Sequence, residues 1–175
     1  MRRAASPSPG HRGFTLIELV VTLALLGLLA MLAAPMAELA VTRSKEQELR
    51  SALREIRTAL DRYKAVMSVT SVPLGGLGSG GINYNTDSGY PPNLRVLVEG
   101  VPDPSDPGRT KRIYFLRRLP RDPFNNDASL TAEQTWGIRS YSSPANEPVN
   151  DGKDVYDVYS LSPGIGINGI AYRDW

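Results

Sequence analysis

Cysteine is absent from this chain of 175 residues, and histidine occurs once, as His11. The first absence excludes a disulfide scaffold, a Cys-ligated zinc or iron–sulfur centre and a thiol nucleophile. The second leaves imidazole catalysis and His-ligated metal without a residue beyond the N-terminal leader. A strong charge of either sign is also lacking. The formal charge of +2 depends on Arg2, Arg3 and Arg12. Without that leader, 17 of the 20 basic residues face all 18 acidic ones, a balance of −1. Nucleic acid is therefore not expected as a partner. Gly and Pro number 16 and 14 and fall mostly beyond residue 70, so the C-terminal half reads as rich in loops.

What the chain does have is a predominantly apolar run over residues 14–34, behind a short basic leader. About 21 helical residues rise roughly 31 Å, enough to cross a bilayer core. Arginines ahead of the run keep the N-terminus cytoplasmic and place the chain beyond the run outside the inner membrane. A secretory signal peptide has a shorter apolar region ending at a small-residue cleavage site. Inside this run stands Glu18. A carboxylate near the centre of a spanning helix costs roughly 2.5–3.5 kcal/mol on insertion scales, which makes it a functional candidate by default. Ala30/Ala34, Ala33/Ala37 and Gly27 add small residues of the kind that let helices approach closely in membranes.

The stretch Gly13-Phe14-Thr15-Leu16-Ile17-Glu18 resembles the type III signal of type IV pilins and type II secretion pseudopilins. The resemblance implies that a prepilin peptidase cleaves after Gly13 and methylates the new N-terminus, Phe14. It implies that Glu18 pairs with the Phe14 amine of a neighbouring subunit during filament growth. Such a pair offsets a charge that is costly to bury alone. Pro35, just after the run, matches a helix-breaking proline of the family.

From Ser44 the pattern turns amphipathic. Leu49, Leu53, Ile56, Leu60, Tyr63 and Met67 recur in steps of four and three, a helical stripe. Glu46, Arg50, Arg54, Arg57, Asp61 and Lys64 are assigned to the opposite, solvated side, with Glu46 supporting Arg50 at i+4. A helix over 14–67 would run on the order of 80 Å. The chain divides accordingly: leader 1–13, transmembrane and assembly helix 14–35, its amphipathic continuation 36–67, and a loop-rich periplasmic domain 68–175.

In that domain, residues 68–92 read as an irregular loop. Its Gly-rich run 75–81 lacks the Lys-Ser/Thr of a phosphate-cradling loop and reads as a flexible connection. A short helix is expected over 92–100, with Leu94, Leu97 and Val98 inward, and a loop over 101–109. Strands are expected over 136–141 and 155–161, and a third over 169–173. Short strands are marginal alone, so they should pack on the 49–67 stripe. The fold expected is α+β and type IV pilin-like: a long N-terminal helix, transmembrane in its first half, packed by its second on a small antiparallel sheet.

Tyr114-Phe115-Leu116-Arg117-Arg118-Leu119-Pro120-Arg121-Asp122-Pro123-Phe124 is similar to a signature of the major, G-type pseudopilin. Tyr90-Pro91 with Leu94 and Leu97, and the strand at 155–161, resemble further family segments. Calcium is a cofactor that this resemblance implies. Here, however, the sequence departs from it: after the last strand comes a Gly-rich loop with no carboxylate until Asp174. Asp151, Asp154, Asp157 and Asn168 are the oxygen donors on offer for an ion that takes six to eight. They read first as solvated loop and strand residues.

The leading expectation is a structural subunit, not an enzyme. It would assemble through its helix into a periplasmic pseudopilus of type II protein secretion. Its expected partners are prepilin peptidase, further copies of itself, other pseudopilins and the inner-membrane assembly platform. The alternative is a type IV pilin or minor pilin serving adhesion, motility or DNA uptake. From another class, a membrane-tethered periplasmic enzyme would have to rely on Asp122, Asp154 and Asp157, and Asp122 reads as a turn residue before Pro123.

Overall fold

A computed structural model describes residues 13–69, 84, 86–103, 105–106, 108, 110–144 and 149–175. The leader before Gly13, the loop over 70–83 and its Gly-rich run lie outside the described residues. One α-helix, α1 (Leu16–Val69, 54 residues), carries the N-terminal part of the chain. It continues through Pro35, in keeping with the single helix expected over 14–67. Proline's fixed φ is a helical value, and what its ring removes is one backbone donor. The chain forms two compact units, Met1–Thr42 and Arg43–Trp175.

In the first unit the large apolar side chains that are described are exposed. Leu16 is 83% exposed, Leu25 56% and Leu29 63%. The helix here is long and apolar enough to cross a membrane.

In the second unit the same helix is half inside. Leu49, Leu53, Ile56, Leu60 and Tyr63 are buried, Met67 packs at the edge, and Ala52 and Ala59 fill the gaps between them. Each fully buried aliphatic side chain contributes about 1.5–3 kcal/mol relative to exposure. Tyr63 donates its hydroxyl to the Tyr84 carbonyl at 2.8 Å, and its ring meets Phe115 at 5.3 Å. A buried tyrosine with such a partner avoids an unsatisfied polar tip.

The short helix α2 (Arg95–Glu99) falls inside the expected span, with Leu94 and Leu97 buried, Val98 at the core's edge and Val96 buried as well. Asn93 Oδ1 accepts the Val96 amide at 3.2 Å, and the helix ends at Gly100 with φ +73°. A Cβ at Gly100 would lie 2.6 Å from the Ile113 carbonyl oxygen, so both backbone conformation and space demand glycine there. Strand β1 (Val101–Pro102) pairs antiparallel with β2 (Arg112–Ile113) in the register Val101↔Ile113. This ribbon brackets the stretch expected to be only a loop.

Strand β3 (Trp136–Arg139) pairs antiparallel with β4 (Asp157–Ser160), register Trp136↔Ser160, within the two expected strands. The third expected strand does not form. A single bridge joins Ile165 to Ala171, and a 3-10 turn comes next over Tyr172–Asp174. The sheet is thus two separate two-stranded ribbons. Each is marginal by itself and relies on the apolar face it covers.

Asp122 does more than turn the chain. Its side chain is buried, accepting the Phe124 amide at 2.8 Å through Oδ1 and the Ser160 hydroxyl through Oδ2. It bolts the Pro120–Pro123 turn to β4, and Trp136 Nε1 donates to the Pro120 carbonyl at 2.9 Å beside it.

Candidate assembly site

The helix begins with Thr15-Leu16-Ile17-Glu18, the Ser/Thr-x-x-Glu spacing of a capping box. Thr15 Oγ1 accepts the Glu18 amide at 3.3 Å, and the Thr15 carbonyl accepts the Leu19 amide at 3.2 Å. Thr15 thereby satisfies donors that a helix start otherwise leaves open. The spacing alone makes this role legible, whereas the family resemblance points only to Gly13, Phe14 and Glu18. The Glu18 carboxylate makes no hydrogen bond or ion pair among the described residues, and Phe14 is 83% exposed. Gly27, farther along, has open space where a Cβ would stand. The first turn of α1 thus offers a carboxylate with no partner among the described residues, a few positions along the chain from the Gly13–Phe14 peptide bond. The helix N-terminus supports its negative charge.

Charges on the second part of α1 behave differently. Glu46 is buried at 7% exposure, and its Oε1 accepts the Ile167 amide at 2.7 Å and the Tyr172 hydroxyl at 3.2 Å. The expected Glu46–Arg50 pair does not form. Arg50 lies over the Trp175 ring at 4.2 Å instead. Arg57 donates to Asp157 at 2.8 Å, to the Val158 carbonyl at 3.2 Å and to the Trp175 carbonyl at 2.8 Å. These three α1 side chains hold the C-terminal residues 157–175. The face assigned to solvent is, at these positions, a clamp. Burial, and then the bond to Glu46, push the Tyr172 hydroxyl above its ordinary pKa.

The four residues considered for calcium do not form one cage. Asp157 faces both Arg57 and, at 3.6 Å, Arg139, so a cation there would meet two guanidinium groups. Asp154 is buried and accepts the Tyr141 amide at 2.8 Å. Asp151 accepts the Ser142 hydroxyl and the Lys153 amide, both at 3.0 Å. The Ser140 hydroxyl, and after it that amide, lowers the Asp151 pKa to about 2. Asn168 Oδ1 accepts the Ile170 amide at 3.1 Å within its own turn. Among the described residues no group of three or more acidic or histidine side chains is placed to hold a metal. The donor set does not fit a shared calcium ion. The same engagements leave Asp122, Asp154 and Asp157 without the paired, accessible geometry that acid–base chemistry needs.

Comparison with known proteins agrees with the N-terminal geometry. Residues 9–34 match the family described as the prokaryotic N-terminal methylation motif. The type II secretion system core protein G of Klebsiella pneumoniae is 30% identical over 130 residues, covering 73% of this chain and 79% of that protein. The protein of the same name from Klebsiella michiganensis is 27% identical over 156 residues, covering 87% of this chain and 95% of the relative. That from Dickeya chrysanthemi is 26% identical over 159 residues, covering 91% and 93%. No solved structure matches.

Proposed function

The chain belongs to the family of type II secretion system core protein G, and from that premise we propose how its first helical turn is used. It is a structural pseudopilus subunit, made as a precursor, processed by prepilin peptidase, and not an enzyme. The apolar part of α1 anchors it in the inner membrane. Cleavage falls after Gly13, and the mature chain starts at methylated Phe14. The N-terminus faces the cytoplasm and the C-terminal unit the periplasm.

In the filament, Glu18 accepts the Phe14 amine of a neighbouring copy. Other pseudopilins and the inner-membrane assembly platform are its further partners. One observation carries this reading: the Glu18 carboxylate has no partner among the described residues, in a segment whose apolar surroundings penalise an isolated charge. An intermolecular amine is the group that the processed chain itself supplies. Mass spectrometry of the native protein tests it, with a mature chain beginning at methylated Phe14 expected. A retained leader, or cleavage near Ala37 or Ala40, would remove the amine from its assigned place.

A further inference from the structure

The second unit carries an open groove of about 760 Å³ between α1 and residues 115–118. Four arginines line it: Arg54 and Arg62 from the helix, and Arg117 and Arg118 from the segment after β2. All four are exposed, and none makes a side-chain hydrogen bond or ion pair among the described residues. Arg57, Arg112, Arg121 and Arg139, by contrast, are each engaged by carbonyls, carboxylates or a hydroxyl of their own chain. Residues 70–83 contain no Asp or Glu. Among the described residues Glu55 is the one carboxylate in the groove's lining, so the four arginines have little compensation there.

A groove of this chemistry takes carboxylates. The mature chain has 18 acidic residues, so a second copy has carboxylates to offer to such a groove. On α1 itself, Glu48 is exposed and makes no ion pair or side-chain hydrogen bond among the described residues. It precedes Arg54 and Arg62 by six and fourteen residues, roughly 9 and 21 Å along the helix. A copy packed parallel and shifted along the axis by a distance of that order brings its Glu48 to the groove.

We propose that the groove of Arg54, Arg62, Arg117 and Arg118 receives Glu48 of a second copy of this chain, packed parallel and staggered along α1. The proposal rests on the pseudopilus reading and assigns a contact surface within it. Because the protein has no cysteine, introduced pairs report cleanly. Full-length copies carrying Glu48→Cys are co-expressed with copies carrying Arg118→Cys, and native membranes are treated with a bis-maleimide. A dimer of one of each is expected, and it should be lost when the exposed Ser129→Cys replaces Arg118→Cys.

Charge reversal gives the second readout. Arg117→Glu with Arg118→Glu should lower filament yield at least tenfold, and adding Glu48→Arg to that chain should restore most of it. Equal yields from wild type and the double variant, or no restoration, would overturn the assignment. Lost filaments without restoration, together with lost sedimentation on anionic phospholipid vesicles, would give the groove to lipid headgroups instead. Leu25→Cys copies monitor the apolar part of α1. Their cross-linking without any between positions 48 and 118 would sink the groove and leave the filament reading standing. Absence of both would sink both.

Discussion

Two stretches of one helix meet opposite fates. Along residues 16–41 the large apolar side chains that are described are exposed, whereas along 49–63 the apolar stripe is nearly inaccessible. Backbone geometry is the same in both, so helix propensity does not explain the difference. The first stretch is apolar around its circumference, as expected of a segment completed by lipid and other helices. The second is apolar on one face only, and the two ribbons and α2 cover that face. The two glutamates divide in the same way. Glu18 is exposed and has no side-chain partner among the described residues, and Glu46 is buried with two donors.

Deleting side-chain volume on each stretch should separate the two most strongly. Ile56→Ala should destabilise the second unit by roughly 2–5 kcal/mol, the usual range for a large-to-small change at a fully buried site. Leu25→Ala should leave it unchanged. Both tryptophans, Trp136 and Trp175, lie in the second unit, so denaturant unfolding monitored by their fluorescence in detergent reports that unit alone. Equal losses from the two variants would mean that the units fold as one.

A smaller effect separates the glutamates. Glu46→Ala strands the Ile167 amide and the Tyr172 hydroxyl, each costing about 1–3 kcal/mol if it stays buried and unsatisfied. Glu46→Gln retains an acceptor and should cost less. Glu18→Ala should leave the same unfolding curve unmoved while filament yield falls. Stability lost at Glu18, or normal assembly without it, would contradict the roles assigned.

The smallest effect is the pH dependence of the second unit. Asp151, brought to about 2, and Asp106 and Asp127, also lowered by local hydrogen bonds, bind protons less readily folded than unfolded. Their contribution is complete above the ordinary carboxylate value of about 3.9 and is lost as pH falls through the folded values. Tyr63 and Tyr172 are raised, chiefly by burial, so their contribution is complete below about 10 and is lost as pH rises through the folded values. A stability curve measured by tryptophan fluorescence should be flat between these limits. A slope near neutrality would point to a group other than these five.

Much of the architecture was legible because it rests on period and spacing. Steps of three and four at Leu49–Met67 could face inward only on a helix, and β-branched and aromatic residues at 136–141 and 155–161 marked the long ribbon. Less visible was anything settled by distant partners. Val101–Pro102 is too short and proline-containing to read as a strand until Arg112–Ile113 lies beside it. Residues 169–173 read as a strand, but Gly164, Gly166 and Gly169 around a single bridge turn the chain before a ladder can extend. Thr15 was readable from its spacing to Glu18.

By itself, the sequence determined the processing signal, the membrane-length helix, the buried stripe and the family. Each depends on residues near one another along the chain. Tertiary structure decided which charges on α1 face solvent and which do not. Helical periodicity sets the angle at which Glu46, Arg50 and Arg57 project, but not what stands opposite. There the chain's last residues, more than a hundred positions away, supply an amide, a hydroxyl, an aromatic ring and a carbonyl. Such partners are brought together by the tertiary fold, not by neighbourhood along the chain. A charge pattern that looks solvated in one dimension therefore becomes, in three, the clasp that holds the C-terminus.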